Sequence, residues 1–339
     1  MVKKVSIENL LYLRVFALCM VVLRHSFAPF TGAWDTKIDF ELNEFVSILG
    51  QYVSSISMPL YIFISGLLFS FLRNKLDKYP TMRILIKKKT KRLLIPYIVF
   101  APLYILTFLT FDNVKEFIFH FWKGAGHLWF LTMIFFTFLV FYLLEEKFKN
   151  NFKLGFILVL LFFCFFPFYF YLRLGPFAQT LYYFPFFYIG YFFYFKHNII
   201  NKWLYNKKLI LLCSHTIIFL ITIYVQDKIV NDLFKSIFNG YMKLPLGILS
   251  ICIIFSFFND MQMSKNVTFN NLLNNISEKS YYIYIIHQPL LKLLYSSPFL
   301  LKIKPSWVIS ISFLSTLLLS LLFSSFIMKY KLGRKLIGA

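Results

Sequence analysis

Two ionisable residues share the first apolar segment of the chain, residues 10–27, and are its clearest candidates for chemistry. Arg14 and His25 stand eleven positions apart in LLYLRVFALCMVVLRHSF. In a helix this spacing is about three turns, so both side chains project from nearly the same side, about 16 Å apart along the axis. An ionisable side chain inside a bilayer costs about 2.5–3.5 kcal/mol on insertion scales and is usually functional. The pair therefore indicates a polar path into a membrane-spanning helix.

His25 has the chemistry of a general base, because an imidazole gains and loses a proton near neutral pH. Arg24 is adjacent in sequence but projects about 100° away around the helix. A long cationic side chain near a helix end reaches the membrane interface, so Arg24 ranks below Arg14 as a site residue.

Two further histidines lie in apolar segments. His127 and Trp129 open a span in the sequence GAGHLWFL, and indole rings are typical of membrane interfaces. His287 and Tyr284 lie in SYYIYIIHQP, where the proline that follows frees backbone groups that need a polar environment. Each histidine alone is compatible with packing, but three in the spans of one bundle are more than packing requires.

The densest positive charge of the chain ends in the sequence KKKTKRLLIPY, at the cytoplasmic start of a predicted span. A cationic cluster at a helix N-terminus suits phosphate groups. Anchoring to anionic lipid explains most of these lysines equally well. Arg92, the cation nearest the span, is the one we assign to a ligand.

Two other features have a chemical and a structural interpretation. Ser65-Gly66, in the middle of a predicted helix, favours close helix packing over a serine nucleophile, because no strand–turn–helix elbow is indicated. The first outer loop is acidic and includes Glu41, whose carboxylate could bind sugar hydroxyls. A solvated loop is the favoured interpretation and sugar binding is the alternative. No carboxylate partner for His25 is evident, and Asp35 or Glu41 would have to fold back to become one.

The elements that must position these residues are helices in a membrane. The 339-residue chain is 59% hydrophobic and 15% charged, with a mean hydropathy of +0.68, whereas soluble domains are about 45–50% apolar. The formal charge is +22, but most Lys and Arg lie in short loops on alternate sides of the spans, which argues against nucleic acid as a partner. The four cysteines lie in apolar segments without metal-ligand spacing.

We predict an all-α polytopic membrane protein of about ten transmembrane helices in a single domain, residues 1–339. Positive charge concentrates in alternate loops, which places both termini in the cytoplasm. The first span is interpreted as a retained helix and not as a signal peptide. The predicted spans are 10–30, 45–71, 93–111, 127–144, 154–171, 180–195, 208–225, 241–258, 280–297 and 306–328.

Five motifs in this order resemble those of the acyltransferase-3 family of bacterial membrane acyltransferases, over residues 6–330. They are Arg14 with His25, Ser65-Gly66, RLLIPY from Arg92, HLWFL from His127, and SYYIYIIHQP over residues 280–289. The resemblance implies an enzyme that moves an acyl group, usually acetyl, from cytoplasmic acyl-CoA to a carbohydrate hydroxyl on or beyond the outer face.

The resemblance also implies roles for residues. His25 is the expected catalytic histidine, and Arg14 and Arg92 are expected to contact the donor or orient the site. Acetyl-CoA is the expected co-substrate, with no permanently bound cofactor and no metal. Acceptor-side or supporting roles are assigned to six further residues: Ser65, Glu41, His127, Trp129, Tyr284 and His287.

The chain looks like the stand-alone form of the family, without an SGNH-type domain. It is closest in plan to members that act on surface polysaccharides, including the membrane component of poly-N-acetylglucosamine operons. The resemblance places it in the bacterial cytoplasmic membrane. The expected partners are the bilayer, the acyl-CoA donor and the carbohydrate acceptor, and we also consider a homo-oligomer and a glycan synthase.

Two mechanisms and two other functions are weighed. General-base activation of the acceptor hydroxyl by His25 is preferred, and attack by the histidine itself, giving an acyl-imidazole, is the alternative. An exporter of polysaccharide or lipid-linked glycan suits many spans and abundant aromatic residues but has no need of a catalytic histidine. A structural partner of a synthase complex explains none of the intramembrane charges.

Overall fold

The computed structural model describes residues 7–32, 34, 40–204, 206–258 and 267–338. This part of the chain is helical and contains no β-strand. The helices are α1 (Ile7–Ser26), α2 (Glu44–Asn74), α3 (Met82–Lys89), α4 (Ile95–Phe108), α5 (Val114–Lys123), α6 (Trp129–Asn150), α7 (Phe152–Cys164), α8 (Phe166–Tyr171), α9 (Pro176–Leu204), α10 (Lys208–Lys228), α11 (Asp232–Phe258), α12 (Val267–Leu294), α13 (Pro305–Ile327) and α14 (Lys331–Leu336).

Six helical stretches in the described ranges are long and apolar enough to cross a membrane. They are Glu44–Asn74, Met82–Phe108, Gly126–Asn150, Lys208–Lys228, Asp232–Phe257 and Pro305–Ile327. The second of these joins α3 and α4 through a π-helical turn, Thr90–Leu94. These helices agree with the predicted all-α membrane protein, while the number of ten spans and the cytoplasmic termini stay predictions.

Several predicted spans differ from the helices at the same positions, and the fifth and the sixth show the reasons. The fifth, 154–171, is divided at Phe165 into α7 and α8. Pro167 has no amide hydrogen to continue the hydrogen-bond ladder of α7, so the helix restarts there. The sixth, 180–195, is the aromatic middle of the 29-residue helix α9, whose ends contain Gln179, Lys196 and Lys202 and were too polar for the apolar pattern to include.

The helices group into two compact units, each described by itself. The first unit contains Met1–Ile64 and Phe195–Ser324, and the second contains Ser65–Tyr194 and Ser325–Ala339. The single domain expected from the sequence stays a prediction.

The first unit is built on two helix pairs, α1 against α12 and α10 against α11. A buried apolar cluster closes the end of the α1–α12 pair. It consists of Phe27, Phe30, Phe40, Val46, Leu291, Tyr295, Leu300, Val308 and Ile309. Burial of these apolar and aromatic side chains stabilises this end of the helix pair.

The second unit has an aromatic core. Phe141 is fully buried and its ring lies within 6.1 Å of the rings of Phe69 and Phe187 and 4.5 Å from that of Tyr191. A Cβ atom added to Gly66 would lie 2.2 Å from the carbonyl oxygen of Phe187. Gly66 therefore permits close approach of α2 and α9, which confirms the packing interpretation of this glycine.

Candidate functional site

His25 and His287 form the centre of the site in the first unit. His25 lies in the last turn of α1 and His287 lies in α12, 262 positions later. Nδ1 of His25 is 2.9 Å from Nε2 of His287, and the ring centroids are 5.0 Å apart. His287 is fully buried, whereas His25 is half-buried. His287 is thus the buried residue of the pair, and His25 is the one more accessible to a substrate.

The hydrogen bonds of the pair determine where its protons lie. Nδ1 of His287 is 2.6 Å from the carbonyl oxygen of Tyr284. A carbonyl oxygen only accepts, so this Nδ1 carries a hydrogen, and in the neutral ring Nε2 is the acceptor. His25 must then donate from Nδ1 to His287. In the neutral pair, Nε2 of His25 is therefore the unprotonated nitrogen, the form that a general base or a nucleophile requires.

Aromatic rings hold His25 in place. The indole of Trp34 stacks on the His25 ring at a centroid distance of 5.7 Å and an interplanar angle of 20°. Tyr295 meets Trp34 edge-on at 6.5 Å and donates a 2.6 Å hydrogen bond to the carbonyl oxygen of Ser26. These contacts fix the end of α1, and with it the imidazole orientation, against α12.

A cation and a second tyrosine border the same pair. Nζ of Lys292 is 5.6 Å from the centroid of the Trp34 ring, a cation–π distance. The ring of Tyr284 is 5.6 Å from that of His287 and 5.9 Å from that of Tyr61. Trp34, Lys292 and Tyr295 were not predicted as site residues, because no motif in the sequence links them to His25.

The other residues predicted for this unit lie on the same elements. Arg14 is half-buried on α1, three turns before His25. Glu41 is exposed in the segment that precedes α2. Asp35 lies outside the described residues.

In the second unit, the basic segment divides into structural and exposed cations. Lys89 is buried with Nζ 3.3 Å from the centroid of the Phe138 ring. Arg92 is exposed in the π-helical turn. A Cβ atom on Gly338 would lie 2.6 Å from the carbonyl oxygen of Lys91, so the C-terminal segment packs on this turn. Arg92 is thus exposed on this turn and its role at a ligand stays a prediction, whereas Lys89 is buried against an aromatic ring.

His127 and Trp129 are held by a tight turn. Gly124 and Gly126 have φ angles of +105° and +51°, which favour glycine. The turn directs His127 inwards, where it is buried and meets the Tyr104 ring at 5.8 Å. Trp129 stacks on Tyr183 at 5.4 Å. Ser65, half-buried on α2, belongs to the same unit.

A buried carboxylate in the second unit was missed from the sequence. Glu145, on α6, is 2% exposed and accepts hydrogen bonds from Arg73 and Lys149, both at 3.0 Å, and from the hydroxyl of Tyr191. Arg73 also donates to the carbonyl oxygen of Tyr79. The network ties the end of α2 to α6 and to the loop before α3. An ionisable residue at the end of an apolar run was the available signal.

The first unit contains a second fully buried histidine, His215, which was also missed. Nε2 of His215, on α10, is 2.9 Å from Oγ of Ser250 and 3.3 Å from Oγ of Ser55. Both serines give their hydrogen to a carbonyl oxygen, of Leu246 and of Tyr52 respectively. His215 is therefore the donor, and it links α10 to α11 and α2.

The comparisons with known proteins agree with the motif pattern. The model of the acyltransferase domain family known as acyltransferase 3 matches residues 7–325. This range contains both histidines of the pair and every other residue predicted for the site. No curated protein and no solved structure matches the chain.

Proposed function

The chain belongs to the acyltransferase-3 family and is a membrane acyltransferase; from this premise we propose that it moves an acyl group, usually acetyl, from cytoplasmic acyl-CoA to a carbohydrate hydroxyl at the outer face of the bacterial cytoplasmic membrane. The observation that carries the proposal is the His25–His287 pair, whose proton order leaves Nε2 of His25 unprotonated. The family match does not support the exporter considered from the sequence.

His25 acts as the general base in the proposed reaction. Its Nε2 takes the proton of the acceptor hydroxyl while the hydroxyl oxygen bonds to the thioester carbonyl carbon. The carbon–sulfur bond then breaks, and the leaving thiolate takes the same proton from the imidazolium. The products are the ester and free CoA, and the histidine returns to its initial state.

The hydrogen bond to His287 stabilises the transient charge on His25. As His25 becomes an imidazolium, its Nδ1–H donates to a nitrogen that is already oriented by the Tyr284 carbonyl. A charge-assisted bond is stronger than a neutral one, so the pair favours the charged intermediate over the resting state.

Two arginines have proposed roles at the donor. Arg92, exposed beside other cations, binds the phosphates of CoA. Arg14, half-buried on α1, contacts the donor on the path to His25. The polar nucleotide of CoA stays outside the membrane. Its thin pantetheine arm therefore carries the thioester inwards.

Transfer of label tests the function. Purified protein receives acetyl-CoA labelled in the acetyl group and N-acetylglucosamine oligomers as acceptors, and labelled glycan is measured. We expect transfer by the wild type and by His120→Ala, which alters a histidine of α5, and a loss of about 10²–10⁴-fold in His25→Ala. Equal transfer by His25→Ala and the wild type would remove His25 from the mechanism.

A second measurement separates the general base from the acyl-imidazole. The protein is incubated with labelled acetyl-CoA alone, denatured at neutral pH and assayed for covalent label. We expect no label on the protein, because the preferred mechanism needs the acceptor before the carbon–sulfur bond breaks. Label that is retained by the wild type and absent from His25→Ala would establish the nucleophilic alternative.

A further inference from the structure

An open cavity of about 670 Å³ lies at one end of the first unit. Its wall is formed by residues after α1, the first turns of α2, the end of α10 and the start of α11. The volume lies within the range of about 300–1,000 Å³ typical of small-molecule sites. Neither histidine of the pair lines it, so it is a separate pocket in the same unit.

Six of the thirteen residues that line the cavity have uncharged polar side chains. Gln226 donates from Nε2 to Oε1 of Gln51 at 3.2 Å, which fixes the two amides against each other. Asn239 also lines the cavity, and within the described residues its Oδ1 is buried and has no hydrogen-bond partner. Gln51 is exposed, so its amide is the group of this wall that hydroxyls of a ligand in the cavity reach.

The charges on the wall favour one class of ligand. Glu44, Asp227 and Lys235 line the cavity, and Lys235 lies 4.0 Å from Asp227. The weak Lys235–Asp227 pair leaves Glu44 as the additional charge, so the wall is slightly acidic. Such a wall repels anions and accepts neutral or positively charged ligands.

The cavity is connected to the histidine pair by packed rings. Phe30, on the cavity wall, meets Phe40 at 5.3 Å, and Phe40 meets Tyr295 at 5.5 Å. Tyr295 in turn contacts Trp34, which stacks on His25. A ligand in the cavity is thus separated from His25 by a layer of aromatic side chains, and only a long ligand extends from one to the other.

A polar contact next to the cavity joins the helices that form its wall. His215 links α10 to Ser55 of α2 and Ser250 of α11. Ser55 lies one turn from Gln51, so this polar contact supports the same faces that carry the amides. The three helices that form most of the cavity wall are therefore joined by direct polar contacts.

We propose that this cavity is a remote subsite for the acceptor, in which amides and carboxylates bind a neutral or cationic hydroxyl-rich glycan segment outside the reacting unit. This proposal rests on the proposed function, from which the glycan is taken as the acceptor. Binding energy from a remote segment positions the reacting hydroxyl, so the subsite acts on long acceptors and not on a single sugar.

Binding without turnover tests the subsite. Purified protein in detergent, without acyl-CoA, is titrated by calorimetry with N-acetylglucosamine, its tetramer, the deacetylated cationic tetramer and an oligogalacturonate of equal length. We expect the neutral and cationic tetramers to bind, and the monomer and the oligogalacturonate to bind at least tenfold more weakly.

In the double variant Gln51→Ala/Asn239→Ala, tetramer affinity should fall about five- to thirtyfold, as two hydrogen bonds would predict. Asn271→Ala, an exposed amide on α12, is the matched control and should bind like the wild type.

Each other outcome overturns the subsite. Tetramer binding that is absent, unchanged in the double variant, or weaker than oligogalacturonate binding would each contradict it. Far-UV circular dichroism and thermal unfolding of the double variant exclude a loss that is due to misfolding. The label-transfer assay fails separately: a wild type that binds the tetramer but transfers no acetyl group would contradict the proposed function and leave the glycan site standing.

Discussion

The chemistry of His25 depends on the hydrogen that its partner holds. Nδ1 of His287 donates to Tyr284, and this contact fixes the acceptor nitrogen that faces His25. A partner that accepts at this position keeps Nε2 of His25 unprotonated. His287 is thus a positioning residue in the proposed mechanism, with a role that can be separated from packing.

Replacement of His287 tests that role. His287→Leu removes the acceptor, and we expect kcat to fall about 10–100-fold, by analogy with the loss when groups that orient metal-bound histidines are removed. His287→Gln retains an acceptor oxygen and should recover part of this loss, with acceptor KM unchanged in both variants. Steady-state kinetics on protein with wild-type thermal stability provide the measurement, and equal kcat values for the two variants would contradict the positioning role.

Residue types and spacing predicted His25, Arg14 and His287 as site candidates, because ionisable groups in apolar segments are rare. The contact of His25 with His287 could not be predicted from the sequence, because no spacing rule applies to residues 262 positions apart. Trp34 was missed for a related reason: an aromatic residue in a loop has no periodicity that assigns it to a neighbour.

At the scale of elements, the end of α2 is fixed by charge. Glu145 joins Arg73 and Lys149 in a network that also includes Tyr191. Arg73 lies in the last turn of α2, next to the basic loop, and is paired with Glu145. Loop composition alone does not distinguish a cation that faces lipid phosphates from one that neutralises a buried carboxylate.

Removal of that carboxylate should lower stability. Glu145→Ala leaves two cations without their partner, and we expect the free energy of unfolding to fall by about 1–3 kcal/mol. The estimate lies below that for a fully buried pair because Arg73 and Lys149 are 20% and 37% exposed and gain solvation. Thermal unfolding in detergent measures it, with the exposed neighbour Glu146→Ala as the control; similar midpoints for both variants would exclude a stabilising network.

The close approach of α2 and α9 gives a second prediction at this scale. Gly66→Ala places a methyl group against the backbone of Phe187, so we expect a loss of about 1–3 kcal/mol in stability. Ser65→Ala, one residue earlier, should retain both stability and transfer activity, because packing and not nucleophilic attack is its expected role. Loss of transfer in a stable Ser65→Ala protein would instead support the hypothesis that Ser65 is a nucleophile.

At the scale of the whole chain, apolar patterning predicted the class of fold well. Most of each predicted span is helical, since a long apolar run in lipid must satisfy its backbone hydrogen bonds internally. The break at Phe165 and the length of α9 were not predicted, because hydropathy reports the depth of a residue in lipid and not the continuity of the helix.

The orientation of the chain is a prediction that labelling can check. With native cysteines replaced, Val230→Cys, in the 97% exposed position between α10 and α11, should react with an impermeant thiol reagent added to intact cells. Leu76→Cys, in the basic loop after α2, should react only after the cells are lysed. The opposite pattern would reverse the topology and place the glycan subsite on the cytoplasmic side.

The contact between His287 and the carbonyl of Tyr284 has a consequence for heritable variation. The oxygen that sets the proton order belongs to the main chain, and codon changes alter side chains only. A substitution such as Tyr284→Phe leaves that oxygen in place and should preserve transfer activity. Natural variants can therefore lose the proton order of the pair by replacement of a histidine or by a change in the backbone of α12. A point mutation at position 284 does not remove the acceptor oxygen.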